Sequence, residues 1–282
     1  MLKKLQNILP LLCLFGIGLA PLPAFSQQLS VSPLVIEKDA ESGQARGFID
    51  VTNGSDKPFR ARVSVSPFTY NREGLKVLTS SPNDLTPYLT FSPRELVVAP
   101  GQKRSIRFSA RLLPSLPKGE YRAIFSVDEL KENNNTTTQK NEVSLVVTIV
   151  STIYVRNGDL VPVIKVEKAF YDGKEKEIRL LVNNTGKATT RARTEWNLSQ
   201  NGKLVKSDKL EETTIIAEGD RYIRILYAPE GKTLNPGNYE LSGQLKWDFP
   251  KKGGSLPFKV NFTVTKEDIK TEKKPEQPIK KK

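Results

Sequence analysis

Glu142-Val143-Ser144-Leu145-Val146-Val147-Thr148-Ile149-Val150-Ser151-Thr152-Ile153-Tyr154-Val155 is the stretch on which the fold turns. Val143, Leu145, Val147 and Ile149 stand at every second position, so an extended backbone puts them on one face. Such a row either fills the core of its own sheet or is offered to something else. Periodicity alone leaves both readings open.

Short alternating segments of this kind run from end to end. Upstream they predict strands at Leu29–Glu37, Gly47–Asn53, Phe59–Thr69, Leu75–Leu78, Leu89–Val97, Lys103–Ala110 and Gly119–Leu130, with the quoted Glu142–Val155 closing the set. Turn signals separate them, among them Asn53-Gly54, Asn71 to Gly74 and Pro100-Gly101, and the polar stretch Lys131 to Asn141 reads as a long loop. Downstream the strands are Leu160–Tyr171, Ile178–Asn183, Arg191–Gln200, Leu204–Leu210, Gly219–Tyr227, Gly237–Trp247 and Leu256–Thr265. Asp172-Gly173 and Asn201-Gly202 read as hairpin turns, and Arg156-Asn157-Gly158-Asp159 as the hinge. The pattern predicts an all-β chain of two sandwiches in tandem, residues 27–157 and 158–265. The charged, proline-bearing stretch 266–282 is expected to be a disordered basic tail.

The first residues predict export. Lys3 and Lys4 precede an apolar run from Ile8 to Leu19, and Ala24 and Ser26 supply small residues before a cut at Ser26/Gln27. Residues 1–26 therefore read as a signal peptide, too short to span a bilayer comfortably, and no later segment is apolar for long enough. The single cysteine, Cys13, leaves with that segment, so no disulfide holds the mature chain. The sequence is 37% hydrophobic, with a mean hydropathy of −0.41, which fits a soluble globular protein.

Composition also narrows function. There is no histidine, which removes the commonest general base and metal ligand and every Ser-His or Cys-His nucleophile. No phosphate-binding glycine loop or calcium loop is present, so an enzyme is not expected, and neither a cofactor nor a metal. Of the net charge of +13, Lys3 and Lys4 leave with the signal peptide, and the rest is spread along the body and the tail, without the clustered basic and aromatic residues of a nucleic-acid binder. Trp196 and Trp247 are the only tryptophans for a sugar platform, and both sit in strand-like contexts suited to a core.

Several fragments, in order, carry a family resemblance. They are Ser32-Pro33-Leu34-Val35-Ile36, Ile49-Asp50-Val51-Thr52-Asn53, Pro100-Gly101 followed by Arg107-Phe108, and Leu116-Pro117 with Glu120 and Phe125 before Glu129-Leu130. The first domain resembles the N-terminal domain of the PapD-like periplasmic pilus-assembly chaperones. The second is similar only in being an immunoglobulin-like sandwich. The resemblance implies two immunoglobulin-like domains and a periplasmic chaperone for secreted pilin-like subunits, with an outer-membrane usher as a further partner. It implies that the edge strand carrying Val143, Leu145, Val147 and Ile149 is lent to a subunit lacking one strand, as in chaperone–pilin complementation. It also implies a cationic pair in the cleft for the client's terminal carboxylate, but Leu34 and Thr152 stand at those positions, with Arg46, Arg156 and Lys38 as stand-ins. Finally it implies a buried charge network between the domains, made of Arg156, Glu120 and Asp248. The competing reading is a structural or adhesive immunoglobulin-like envelope protein that keeps its last strand to itself.

Overall fold

The computed structural model describes residues 29–130, 147–227, 233–250 and 253–269. The expected signal peptide, the loop from Lys131 to Asn141, Val143, Leu145 and the tail from residue 270 lie outside the described residues.

The first domain runs through β1 (Leu29–Ser32), β2 (Val35–Asp39), β3 (Gln44–Asn53), β4 (Phe59–Ser66), β5 (Phe68–Tyr70), β6 (Leu75–Val77), β7 (Leu89–Ser92), β8 (Glu95–Val98), β9 (Lys103–Arg111), β10 (Gly119–Glu129) and β11 (Thr148–Asn157). A four-stranded sheet, β1-β3-β9-β7, packs on a five-stranded one, β2-β11-β10-β4-β8, while β5 and β6 form a separate hairpin. Ile49, Val51, Ile106, Phe108, Ala123, Phe125, Ile153 and Val155 meet between the two large sheets. Each comes from the alternating inward positions of its strand. Gly47 is required there, because a Cβ on it would lie 2.5 Å from the Phe108 ring.

Two predicted strands are each broken in half by a proline. Leu29–Glu37 divides at Pro33 into β1 and β2, and Leu89–Val97 divides at Pro93 into β7 and β8. In both cases the halves belong to opposite sheets. Proline has no N–H to give to a ladder, so it marks where pairing stops and the chain crosses the sandwich.

The second domain contains β12 (Ile164–Asp172), β13 (Glu177–Asn184), β14 (Thr190–Gln200), β15 (Lys203–Ile215), β16 (Gly219–Leu226), β17 (Gly237–Trp247) and β18 (Gly254–Val264). Its sheets, β12-β13-β16 and β15-β14-β17-β18, enclose a second core around Ile178, Leu180, Trp196, Leu198, Ile223 and Leu245. Asn201 and Gly202 both have positive φ, 50° and 75°, as their hairpin turn needs. The predicted Asp172-Gly173 turn is instead a longer loop through Lys176, which carries the positive φ of 56°. The predicted hinge is shorter than the sequence suggests, since β11 continues to Asn157 and Gly158 makes the break at φ 107°.

The first residues of the expected tail are ordered. Lys266–Ile269 forms one helical turn, α1, held by reciprocal hydrogen bonds: Thr265 N–H and hydroxyl donate to Asp268 Oδ2 at 2.7 and 2.8 Å, and Asp268 N–H donates to Thr265 Oγ1 at 3.3 Å. Ile269 then packs against the second core.

Candidate functional site

Strand β11 lies between β10 and β2, but its two neighbours differ in length. β10 pairs antiparallel with it from Thr148 to Asn157, whereas β2 pairs parallel with it only from Thr152 to Arg156. Thr152 N–H donates to Leu34 O at 2.9 Å, which fixes the even-numbered residues as those whose backbone points away from β10. The same direction therefore holds for Thr148 and Val150. Among the described residues nothing takes up the N–H and C=O of those two, so the first half of β11 is an open sheet edge.

The side chains at that edge follow the same alternation. Ile149 packs against the first core, and Val147, 37% exposed, stands at the mouth of the sandwich. Together with Leu29, Pro58 and Phe59 they line a cleft of about 530 Å³, to which Asp56, Lys57 and Glu129 also contribute. The row containing Val147 and Ile149 is thus partly core and partly open, and the transition falls where the row leaves the sandwich.

Leu34 and Thr152 do come together at the end of the open edge. Besides the backbone bond, the Thr152 hydroxyl donates to Leu34 O at 3.4 Å and the Ser151 hydroxyl to Pro33 O at 2.7 Å. Leu34 is 55% exposed and Thr152 is buried, so no charge sits at this junction. Of the stand-ins, Arg46 is on the outer face of the opposite sheet, with its guanidinium on Gln44 Oε1 at 3.2 Å. Lys38 projects into solvent. Arg156 is committed elsewhere. The cation that shares the face with Thr152 is Arg122, which sequence reading missed. It stands opposite Tyr154 and one diagonal from Thr152. Arg122 is buried, its Nε and Nη1 have no hydrogen-bond partner, and Glu120 Oε1 is 3.7 Å away. Burial pushes its pKa below the usual guanidinium value, opposed by attraction to Glu120.

Arg156 sits at the junction of the two domains with its side chain fully buried. Its Nε is 3.2 Å from Glu120 Oε2 and its Nη2 is 3.4 Å from Glu37 Oε2. The pair grips one residue of the second domain from both sides. Thr189 N–H donates to Glu120 Oε2 at 2.9 Å, the Thr189 hydroxyl donates to Glu120 Oε1, and Arg156 Nη2 donates to Thr189 O at 3.2 Å. The Phe249 ring covers the guanidinium at 4.5 Å. Asp248, expected in this network, is not in it. It points to solvent and pairs with Arg193 at 2.6 Å, because successive residues beyond β17 face opposite ways and Phe249 takes the inward place. Glu37 supplies the second carboxylate instead, and Arg191 also binds it at 3.2 Å. Desolvation raises the Glu37 pKa, and the attraction of Arg156 and Arg191 only partly offsets it.

No family model matches the chain, and no curated protein matches it. Among solved structures it is similar to a chain of the CsuC–CsuE chaperone–tip adhesion subunit pre-assembly complex from Csu pili of Acinetobacter baumannii. That match has 13% identity and a TM-score of 0.47, covering 81% of this chain and 97% of that one. The E. coli chaperone DraB is 16% identical with a TM-score of 0.44, covering 84% and 97%. The Pseudomonas aeruginosa CupB2 chaperone is 12% identical with a TM-score of 0.41, covering 82% and 99%. Likeness at this level does not assign a role.

Proposed function

We propose that the protein is a non-enzymatic periplasmic chaperone that captures secreted, pilin-like β-subunits through the open edge of β11. The observation that carries this reading is the half-covered strand: Thr148 and Val150 present unpaired backbone groups beside the apolar Val147 and Ile149. An extended segment of an incomplete sandwich can add to that edge as a strand. Its backbone bonds to Thr148 and Val150, while Val147 and Ile149, continued by Val143 and Leu145, fill the gap in its core. Burying an aliphatic side chain contributes roughly 1.5–3 kcal/mol. Association and ordering remove a large share of that sum, which leaves a complex that protects a client and still exchanges it. The added strand stops at Leu34, just before β2 begins. Export with cleavage near Ser26/Gln27 belongs to the same reading, and so does hand-over to an outer-membrane usher.

Val150→Pro tests this directly. The substitution deletes an N–H that faces the open edge and leaves the β10 ladder intact, and proline is tolerated on edges. Wild type expressed in its host should retain small secreted β-proteins, identified by mass spectrometry as lacking a complete sandwich. The variant should melt within a few degrees of wild type and retain none. Equal retention by both forms would reject strand capture and leave the structural envelope protein as the better account.

A further inference from the structure

Strand capture does not use the outer face of the four-stranded sheet, and that face has a distinctive chemistry. The outward positions of β3 and β9 carry Arg46, Phe48 and Asp50 on one strand and Arg107, Ser109 and Arg111 on the other. Phe48, 57% exposed, stands directly opposite Arg107, and Arg46 stands opposite Ser109. Arg46 is therefore diagonal to both Arg107 and Arg111, a separation of about 7–8 Å between backbones. Among the described residues none of these three arginines forms an ion pair, and the one side-chain hydrogen bond they make there runs from Arg46 to its neighbour Gln44. Like charges so close on one sheet face work against the fold. At the far end the face is neutral, because Asp50 accepts from Lys103 at 2.9 Å and from the Ser105 hydroxyl.

We infer that this face docks an acidic, extended segment of a protein partner. Carboxylates at alternate positions of an extended chain are about 6.5 Å apart, close to the diagonal spacing of the arginines. Guanidinium groups, with their planar forks, hold carboxylates at two points where an ammonium holds them at one. Phe48 gives an apolar side chain of the segment a surface between the charges. The neutral end at Asp50 and Lys103 gives the site a limit and a direction, which suits a segment of finite length better than a uniform sheet of lipid phosphates.

The test uses the full mature chain and a fluorescein-labelled synthetic peptide that alternates glutamate with threonine around one leucine, read by anisotropy beside each variant's melting temperature. Saturable binding to wild type is expected. Arg107→Gln with Arg111→Gln should weaken it by about tenfold or more, the loss expected when charged hydrogen bonds are removed. Arg46→Lys, which keeps the charge and the fold, should weaken it severalfold. Lys203→Gln with Lys209→Gln, an equal charge change on the second domain, should leave it unchanged. Equal loss in the Lys203/Lys209 control, unaltered affinity in Arg46→Lys, or binding to phosphatidylglycerol vesicles without binding to the peptide would each overturn the assignment.

Discussion

Arg156 brings strongly opposing energies onto one buried side chain. Removing a guanidinium from water is costly, and the gain from one carboxylate rarely exceeds that penalty. Here Glu120, Glu37, the Thr189 carbonyl and the Phe249 ring share the task, so the charge is matched only while all of them stay in place. Glu120→Ala strands that cation and also releases Thr189 N–H and hydroxyl, and should lower stability by about 3–5 kcal/mol in denaturant titration. Asp248→Asn removes only an exposed pair with Arg193 and should change stability far less than Glu120→Ala. Similar losses from the two variants would mean the junction is not built around Glu120. Glu37 gives the residue scale a pH dependence. Burial raises its folded pKa above the ordinary 4.5, so the protonated form is favoured by folding and stability is lost as pH rises through the raised value. Glu37→Gln cannot ionise, and its melting temperature should therefore gain on wild type as pH climbs from about 4.5. A gap that stays constant with pH would show that the Glu37 carboxyl is not held up by burial.

At the scale of the strand, the open edge of β11 ends at a neutral step. Leu34 and Thr152 meet through backbone and hydroxyl bonds, and the buried Arg122 nearby is drawn toward Glu120. On the proposed function, a client strand is positioned by running into the end of β2, with no ion pair at its terminus. A client-derived peptide with an amidated C-terminus should bind within about twofold of the free acid, and the affinity should vary weakly with salt. A large preference for the free acid would point to Arg122 as an anchor. This edge was half legible in the sequence. Alternation marked Val147 and Ile149, and the Leu34 and Thr152 positions do meet. Alternation reports which face a side chain takes, and is silent on which side of a strand the backbone faces. The half-length pairing of β2 follows from the crossing at Pro33, where the sequence suggested one continuous strand. The same limit hid Arg122 and Glu37, whose importance comes from cross-strand register and not from their neighbours in sequence. Asp248 was misplaced for a related reason: a one-residue phase decides whether Asp248 or Phe249 faces the junction.

At the scale of the whole molecule, two contacts of opposite character join the domains. One is the dry clamp on Thr189. The other is the hairpin of β5 and β6, whose tip reaches the outer edge of β16. Tyr222 N–H donates to Arg72 O at 3.0 Å, and Arg221 Nη1 donates to Asn71 O at 3.2 Å. Arg72 pairs with Asp220 at 2.7 Å, and Glu73 pairs with Arg179 at 3.0 Å. Arg72 and Glu73 are both about half exposed, and ion pairs with an exposed member are weak and weaken further in salt. The buried clamp is screened far less. The clamp is therefore expected to hold the domains together, with the hairpin setting the angle between them. Raising salt to about 1 M, where the screening length falls to about 3 Å, should change the small-angle scattering profile without separating the domains. Arg72→Glu should produce the same change at low salt, because it faces Asp220 with a like charge, and Arg72→Glu combined with Asp220→Arg should restore the original profile by reversing the pair. The melting temperature should move little in either case, since the clamp and both cores are untouched. A profile that is identical in wild type, the single variant and high salt would show that the clamp alone fixes the angle, and that the hairpin merely covers the edge of β16.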